Sequence, residues 1–300
     1  MLQNKYLQLH VIILLWGFTP VIGKFISLQA VDLVWCRLLI AALSLFIYIR
    51  YKGISLVMDR KQLGIIFSMG IVVGLHWYFF YHAIKVSNIS IALSGFATMT
   101  LFASLLQPLL LGKKFFWGDL LYGLFILVGL SVILNAEHLY IAGIVYGILA
   151  ALTGAIFGVY NGKLINKHEA SSITLFEFIG AFVLLTFMKI FSDEASFIPT
   201  VSTNDIIGLL LLSIVCTTLA FTWSIQILKY FSPFTVIITN NLEPVYGIIF
   251  SVLLFGETEV MSTGFYVGTL IILSSVFTYP VVKQKFYPEE TESTHFIEQP

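Results

Sequence analysis

Ten long apolar stretches constrain the fold of this chain more than any other feature of its sequence. A helix of roughly 20 apolar residues spans the hydrocarbon core of a bilayer, which is about 30 Å thick. Because backbone groups in lipid must be hydrogen-bonded within their own segment, each stretch is predicted to be a helix. The predicted spans are residues 7–27, 31–51, 62–83, 88–112, 118–135, 142–162, 171–191, 205–228, 233–255 and 262–282. The fold class that follows is an all-α membrane protein with ten transmembrane helices.

The composition agrees with a membrane protein and excludes several other classes. Hydrophobic residues make up 58% of the 300 residues and charged residues only 11%, whereas soluble domains carry about 25% charged residues. The 16 basic side chains equal the 16 acidic ones in number, so the bulk charge gives no reason to expect nucleic acid as a partner. Cys36 and Cys216 both lie in apolar runs. The sequence therefore predicts buried thiols, no metal site and no cofactor.

The distribution of basic residues between the spans predicts the orientation of the chain. If the N-terminus is cytoplasmic, the outer side has only Lys85 and Lys189. The inner side then has Lys5, Arg50, Lys52, Arg60, Lys61, Lys113, Lys114, Lys163, Lys167, Lys229, Lys283 and Lys285. Basic residues concentrate in cytoplasmic loops, so the sequence predicts a multi-pass protein of the plasma or inner membrane with both termini cytoplasmic. Residues 286–300 are predicted to form a disordered acidic tail.

The chain repeats itself with a shift of about 140–145 residues, which indicates two related units. Residues 110–113 (LLGK) correspond to residues 254–257 (LFGE), Gly23-Lys24 correspond to Gly162-Lys163, and Arg37 corresponds to Glu177. These matches predict five-helix repeats at residues 8–135 and 142–282. A repeat with an odd number of spans enters the membrane from the opposite side, so the two repeats are predicted to be inverted. Inverted repeats are typical of alternating-access transporters, whose substrate site lies near the membrane midplane between the repeats.

Several short motifs resemble those of EamA-type domains in the drug/metabolite transporter superfamily. They are Trp16-Gly17, Gly23-Lys24, Arg37, Glu243-Pro244 and Phe255-Gly256-Glu257. Two such domains in tandem cover nearly the whole chain, and the resemblance implies a ten-helix carrier, usually an exporter of amino acids or other small metabolites. The first repeat departs from the family pattern, with Thr100 in place of a proline and Lys113 in place of a glutamate. The two repeats are therefore not expected to contribute equivalent groups to a site.

The ninth span contains the most deeply placed carboxyl group. Ionisable side chains in hydrocarbon are unfavourable by at least about 2.5–3.5 kcal/mol on insertion scales, so they are candidates for function. Asn240 and Glu243 share one face of this helix by their three-residue spacing. Both are predicted to bind substrate, and Glu243 is also a candidate for carrying a coupling proton. The alternative is that Glu243 is a structural anchor that is hydrogen-bonded to a neighbouring helix.

The third span supplies His76, Trp77, Tyr78 and Tyr81 as further candidates for substrate binding. His76 is also a candidate for proton coupling because histidine titrates near neutral pH. A histidine whose hydrogen bonds are satisfied by another helix is equally compatible with the sequence. Tyr81 and the adjacent His82 lie near the outer end of the span, where membrane-interface aromatics are common.

Three other charged positions lie inside or near the spans. Arg37 either binds a substrate carboxylate as a bidentate fork or extends outward to the membrane surface. Glu177, its counterpart in the second repeat, is a third candidate for proton coupling. Lys24 and Lys163 lie close to the span ends and are predicted to reach the interface with their long side chains.

The function predicted from these features is secondary transport, not catalysis. A small amphipathic metabolite is expected to move, in the outward direction, through a cavity between two rocking repeats. The alternative is an intramembrane enzyme that acts on a lipid or a small molecule, which requires clustered catalytic groups or a motif such as HExxH, and the sequence has no HExxH. A channel is disfavoured because the fifth and eighth spans are largely apolar. The lipid bilayer and a small-molecule substrate are the expected partners, and a homo-oligomer is possible.

Overall fold

The computed structural model describes residues 4–112, 117–191 and 197–286, and every regular element in these ranges is a helix. Ten helices follow the predicted spans: α1 Lys5–Phe25, α2 Ala30–Lys52, α3 Arg60–Val86, α4 Ile89–Leu111, α5 Trp117–Ala136, α6 Ile141–Leu164, α7 Ala170–Ile190, α8 Thr203–Ile227, α9 Pro233–Thr258 and α10 Thr263–Phe286. Eight of them are long and apolar enough to cross a membrane, and α5 and α10 contain shorter apolar helices. The prediction of an all-α, ten-helix membrane protein is confirmed. Lys113, Lys114 and the predicted tail beyond residue 286 lie outside the described residues.

Short connections join consecutive helices, so neighbouring helices cross the bundle in opposite directions. The face at which α1 begins, near Lys5, is called the N-terminal face, and the face at which α1 ends, near Lys24, is called the opposite face. The first half of the molecule consists of α1–α5 and the second half of α6–α10. Extensive contacts of α3 with α6 and α7 join the two halves.

Three of the helices are interrupted near their middle. In α1 the break is at Phe18, two residues before Pro20, which has no N–H to donate to Trp16 O. The hydroxyl of Thr19 donates to that carbonyl instead, at 2.7 Å. In α4 the break is at residues 97 and 98, and in α9 it is at Asn241, just before Pro244. Pro20 therefore accounts for the break in α1.

Equivalent positions in α4 and α9 have the same local structure. Asn88 caps α4 by accepting from Ile91 N at 2.8 Å, and Ser232 caps α9 by accepting from Thr235 N at 3.1 Å. Gly112 directly follows α4, and Gly256 directly follows the α-helical part of α9, which ends at Phe255; both have a positive φ, of 66° and 58°. A side chain is strained in this conformation, which explains why both positions are glycine. The same offset, 144 residues, relates 88 to 232 and 112 to 256, in agreement with an internal repeat.

Polar contacts between the halves are concentrated at the opposite face. Lys24 Nζ lies 2.6 Å from Glu259 Oε1. The Glu259 carboxylate also accepts hydrogen bonds from the backbone N–H groups of Ile89 and Ser90, both at 3.1 Å, at the start of α4. These four residues are called the opposite-face cluster. Lys24, predicted to reach the interface, lies at the end of α1 with its ammonium group paired to a fully buried carboxylate 235 positions away.

The N-terminal face has a neutral counterpart of this cluster. There the start of α9 donates its Phe234 N–H to the side-chain oxygen of Gln107, near the end of α4, at 2.8 Å. A neutral amide that accepts one hydrogen bond is a weaker contact than a carboxylate that accepts two and pairs with lysine. The polar contact between α4 and α9 is therefore weaker at the N-terminal face than the corresponding contact at the opposite face.

Candidate functional site

A central cavity lies between the two halves and extends toward the N-terminal face. It encloses about 770 Å³ of empty space, counted out to its open mouth. The first half contributes side chains from α1–α4, and the second half contributes side chains from α6, α8 and α9. The lining reaches Pro233 and Leu228, where α9 begins and α8 ends. A cavity lined by both halves near the middle of the bundle is where an inverted-repeat transporter binds its substrate.

Arg37 supplies the positive charge of the cavity and is only 2% exposed. Its Nε donates to Thr217 Oγ1 at 2.5 Å and its Nη1 to the Tyr81 hydroxyl at 3.0 Å. The guanidinium also lies over the ring of Trp77, 4.2 Å from the ring centroid, which is a favourable cation–π contact. These contacts direct the side chain inward. Of the two alternatives for Arg37, the structure excludes extension to the membrane surface.

The partner of Arg37 on α8 depends on an irregular backbone. Residues Leu211–Leu219 of α8 form a π-helical stretch, and the Thr217 hydroxyl donates to Leu212 O, five residues earlier, at 2.7 Å. Because that hydroxyl proton is used, the Thr217 oxygen is free to accept from Arg37. π-Helical turns frequently occur at functional sites, and here one orients the hydroxyl that holds Arg37 in the cavity.

Glu243 and Asn240 supply the acidic and amide groups on the side of α9. Glu243 is 5% exposed and lies directly after the break in α9. Within the described ranges no donor lies at hydrogen-bonding distance from its carboxyl group, and Arg37 acts on it only through longer-range electrostatics. The Asn240 side-chain oxygen likewise has no partner among the described residues. These two side chains are therefore available to a ligand, which argues against the alternative that Glu243 is a structural anchor.

Aromatic rings form much of the remaining wall. The rings that line the cavity are those of Trp77, Phe80, Phe96, Phe157 and Phe221. The Phe221 ring lies edge-on to Trp77, with ring centroids 5.5 Å apart, and tilted to Phe157, with ring centroids 5.7 Å apart. Such rings provide apolar contact surface for the non-polar part of a ligand.

His76 lies on the cavity wall with one ring nitrogen already engaged. Its Nδ1 is 2.8 Å from Ala150 O on α6. Because a carbonyl oxygen only accepts, Nδ1 carries a proton and Nε2 is the nitrogen available to a ligand or a second proton. The ring fits against α6 because residue 154 is glycine, since a Cβ there would lie 3.1 Å from His76 Nδ1.

The structure brings most of the predicted site residues together but separates three of them from the wall. Arg37, His76, Trp77, Asn240 and Glu243 all line the cavity. Tyr81 is fully buried behind Arg37, so its interpretation as an interface residue is wrong. Tyr78 lies away from the cavity, where it stacks on His82 at 5.3 Å. Glu177 lies behind Asn161.

Several lining residues were not predicted from the sequence. Trp16 and Thr19 come from the broken part of α1, and Phe157, Gly158 and Asn161 come from α6. In the sequence, the glycines at positions 154, 158 and 162 could have indicated these α6 residues. They lie on the face of α6 that packs against other helices and borders the cavity. Asn161 lies beside this stripe and is the polar residue on that face.

Comparisons with known proteins agree with this architecture. A model of the EamA-like transporter family matches residues 5–135 and again residues 141–279. A relative from Haemophilus influenzae, named as an uncharacterized transporter, is 26% identical over 196 residues, which cover 61% of this chain and 64% of the relative. This chain is therefore aligned with somewhat less than two thirds of that relative's length.

A solved crystal structure has the same fold, with a TM-score of 0.71 and 16% sequence identity over 94% of this chain and 98% of the other. The two family matches together cover most of the 300 residues. The chain belongs to the EamA-like transporter family.

Proposed function

We propose that the chain is a secondary carrier that exports small amphipathic metabolites, such as amino acids or related compounds, by alternating access. The observation that carries the proposal is the composition of the central cavity. A guanidinium from the first half and a carboxyl from the second half face a space walled by aromatic rings. A substrate with an ionised head group and an apolar body matches these surfaces.

The shape of the cavity favours a carrier over an intramembrane enzyme. The cavity lies between the two halves and receives side chains from seven of the ten helices, so relative movement of the halves changes its access. An enzyme acting on lipid requires a pocket at one membrane surface with catalytic groups in contact. Within the described residues no group of three or more His, Cys, Asp or Glu side chains is arranged to bind a metal ion.

The direction of transport is proposed from the side to which the cavity extends. The lining reaches the N-terminal face, which is the cytoplasmic face if basic loop residues mark that side. The opposite face is closed by the opposite-face cluster. A carrier with this resting conformation loads its substrate from the cytoplasm.

Three test compounds with a common apolar group test the proposal in proteoliposomes. Phenylalanine is a zwitterion, phenethylamine a cation and 3-phenylpropionate an anion, and counterflow of each is measured with the purified protein. We expect counterflow of at least the zwitterion, because the Arg37 guanidinium matches its carboxylate and the Glu243 carboxyl group can accept from its ammonium group. If none of the three compounds, nor any compound of an amino-acid panel, exchanges above protein-free liposomes, the proposed substrate class is wrong.

A further inference from the structure

Glu177 is a second carboxyl within the membrane bundle, and it is not on the wall of the central cavity. It lies about two turns into α7 from the N-terminal face, and it is fully buried. Its Oε2 accepts one long hydrogen bond, from Asn161 Nδ2 at 3.4 Å, and its Oε1 has no partner among the described residues. This carboxyl group has fewer hydrogen bonds than a buried carboxylate requires.

The helices around Glu177 do not bring a charge to it. Among the charged or titratable groups of these helices are Asp32 and Arg37 on α2, His76 on α3, Lys163 on α6 and Cys216 on α8, and none of them acts on the Glu177 carboxyl group. Asp32 pairs with Lys189 at the opposite face, Arg37 is bound to Thr217 and Tyr81, and His76 to Ala150. Lys163 is exposed at the N-terminal face. In the described ranges, Asn161 is the one polar side chain that contacts the carboxyl group.

Asn161 connects this carboxyl group to the cavity. Its side chain is part of the cavity lining, and its Oδ1, like Glu177 Oε1, is buried without a partner. Oxygen and nitrogen of an amide are assigned from the surrounding hydrogen bonds. An amide in the present orientation donates either to a carboxylate oxygen or to the carbonyl oxygen of the carboxylic acid, and a rotated amide accepts from the O–H of the acid. Asn161 can therefore form a hydrogen bond with Glu177 in both protonation states. Only the Asn161 side chain separates the Glu177 carboxyl group from the cavity.

The position of Glu177 also places it on the contact between the two halves. It faces Gly70 of α3 so closely that a Cβ on Gly70 would overlap the Glu177 backbone. One turn further along α7, Gly180 lies equally close to the backbone of Phe67. Movement of one half against the other displaces α3 along α7, and the surroundings of the carboxyl group change with it.

We propose that Glu177 and Asn161 form a proton-binding site that couples transport to proton movement, an inference that rests on the proposed carrier function. In the present conformation Glu177 is a neutral carboxylic acid, since a buried charge without a partner is strongly unfavourable. Displacement of α3 admits water from the cavity past Asn161. The carboxylic acid then releases its proton to that water and becomes a carboxylate. Rebinding of a proton restores the neutral acid and the closed contact.

Infrared difference spectroscopy tests the protonation without any substrate. Spectra of the wild type, Glu177→Gln and Glu169→Gln are recorded in liposomes at neutral pH, in H₂O and in D₂O. Glu169 lies just before α7 and is exposed, so it is the matched control. We expect the wild-type spectrum to contain a protonated-carboxyl C=O band that Glu177→Gln loses and Glu169→Gln retains. If the lost bands are those of a carboxylate, Glu177 is ionised and the proposal is overturned.

A second variant guards against misfolding of Glu177→Gln. Asn161→Ala keeps the carboxyl group but removes its hydrogen-bond partner, so the same C=O band is expected to shift in frequency. An unshifted band in Asn161→Ala contradicts the pairing of Glu177 with Asn161.

Transport separates a failure of this inference from a failure of the proposed function. In phenylalanine-loaded proteoliposomes, Glu177→Gln is expected to exchange phenylalanine but to lose the net movement that a pH gradient drives in the wild type. Exchange together with undiminished gradient-driven movement in Glu177→Gln overturns the proton site and leaves the carrier intact. If the wild type exchanges neither the three compounds nor any compound of the amino-acid panel, the proposed function fails, and the infrared result alone decides the protonation of Glu177.

Discussion

Arg37 and Glu243 differ in how their charges are held, and that difference suggests separate roles in binding. The guanidinium is fixed by Thr217, Tyr81 and the Trp77 ring. Glu243 has no comparable support within the described part of the chain and faces the cavity directly. A preorganised cation is suited to recognising a carboxylate, whereas an unengaged carboxyl group is suited to accepting an ammonium group.

Arg37→Lys tests the role of the guanidinium. Lysine keeps the charge but loses the planar fork and the fixed orientation. The loss of a charged hydrogen bond is worth about 1.5–3 kcal/mol, so the apparent affinity for phenylalanine and 3-phenylpropionate is expected to fall by roughly 10- to 150-fold. Phenethylamine is expected to be affected much less. Arg50→Lys, on an exposed position of the same helix, is the control, and equal losses for all three compounds argue against carboxylate recognition.

Glu243→Gln tests the role of the carboxyl group in binding the ammonium group of a substrate. Glutamine retains the size of the side chain but cannot balance an ammonium group, so binding of phenethylamine and phenylalanine is expected to weaken by about tenfold or more. The affinity for 3-phenylpropionate should stay the same or rise. Competition against labelled phenylalanine measures all three affinities. Glu257→Gln, on an exposed residue near the end of α9, should resemble the wild type; a loss limited to 3-phenylpropionate contradicts the assigned role.

The sequence predicted the site residues that share a helical face and missed those that depend on contacts between helices. Spacing alone placed Asn240 and Glu243 on one side of α9, and both line the cavity. Spacing also grouped Tyr78 with Trp77, yet the structure separates them because only part of that broad face of α3 is turned to the cavity. Thr217 could not be recognised, because its orientation depends on a π-helical backbone that periodicity does not reveal.

At the scale of helices, the interruptions of α4 and α9 bring backbone and side chains of the two halves together in the bundle centre. Asn241, at the break in α9, donates through its side chain to the Thr100 hydroxyl, just after the break in α4, at 2.8 Å. Proline near the break made α9 predictable. The break in α4 has no proline, and Thr98 instead donates its hydroxyl to Gly95 O at 2.8 Å. Threonine is common in membrane helices, so Thr98 alone could not have indicated a break in α4.

The opposite-face cluster is expected to hold the cavity closed on its side. Glu259→Gln removes the ion pair with Lys24 and weakens the acceptor for the two α4 amides. A stability loss of about 1–3 kcal/mol is expected from chemical unfolding in detergent, since charged hydrogen bonds to a buried group are lost. Asp59→Asn, which alters an exposed helix cap at the N-terminal face, is expected to have a smaller effect. A Glu259→Gln protein as stable as the wild type contradicts the importance of the cluster.

At the scale of the whole molecule, an even number of alternating helices brings residues 4 and 286 to the same face of the bundle. The number of spans and their alternation could be predicted from hydropathy alone, because lipid leaves the backbone few alternatives to helices. The pairing of Lys24 with Glu259 could not, since it joins residues 235 positions apart. Such contacts depend on how the two halves pack together, which local sequence patterns do not reveal.

The topology predicts the accessibility of tags at the two ends. In intact cells, epitopes placed before residue 4 and after residue 286 should both be protected from added protease, and both should be cleaved after permeabilisation. This follows from an even number of spans and from the excess of basic residues in the loops at the N-terminal face. Cleavage of one tag alone in intact cells contradicts ten spans, and cleavage of both contradicts the orientation.

Alternating exposure of the central cavity is tested most directly by a cysteine at Ser224, a lining residue of α8. With Cys36 and Cys216 replaced by alanine, Ser224→Cys is labelled with a membrane-impermeant maleimide applied to one face at a time. A rocking carrier is expected to react from both faces, faster from the N-terminal face, and Glu259→Gln should raise the rate from the opposite face. Reaction from a single face, at a rate that Glu259→Gln does not change, contradicts alternating access.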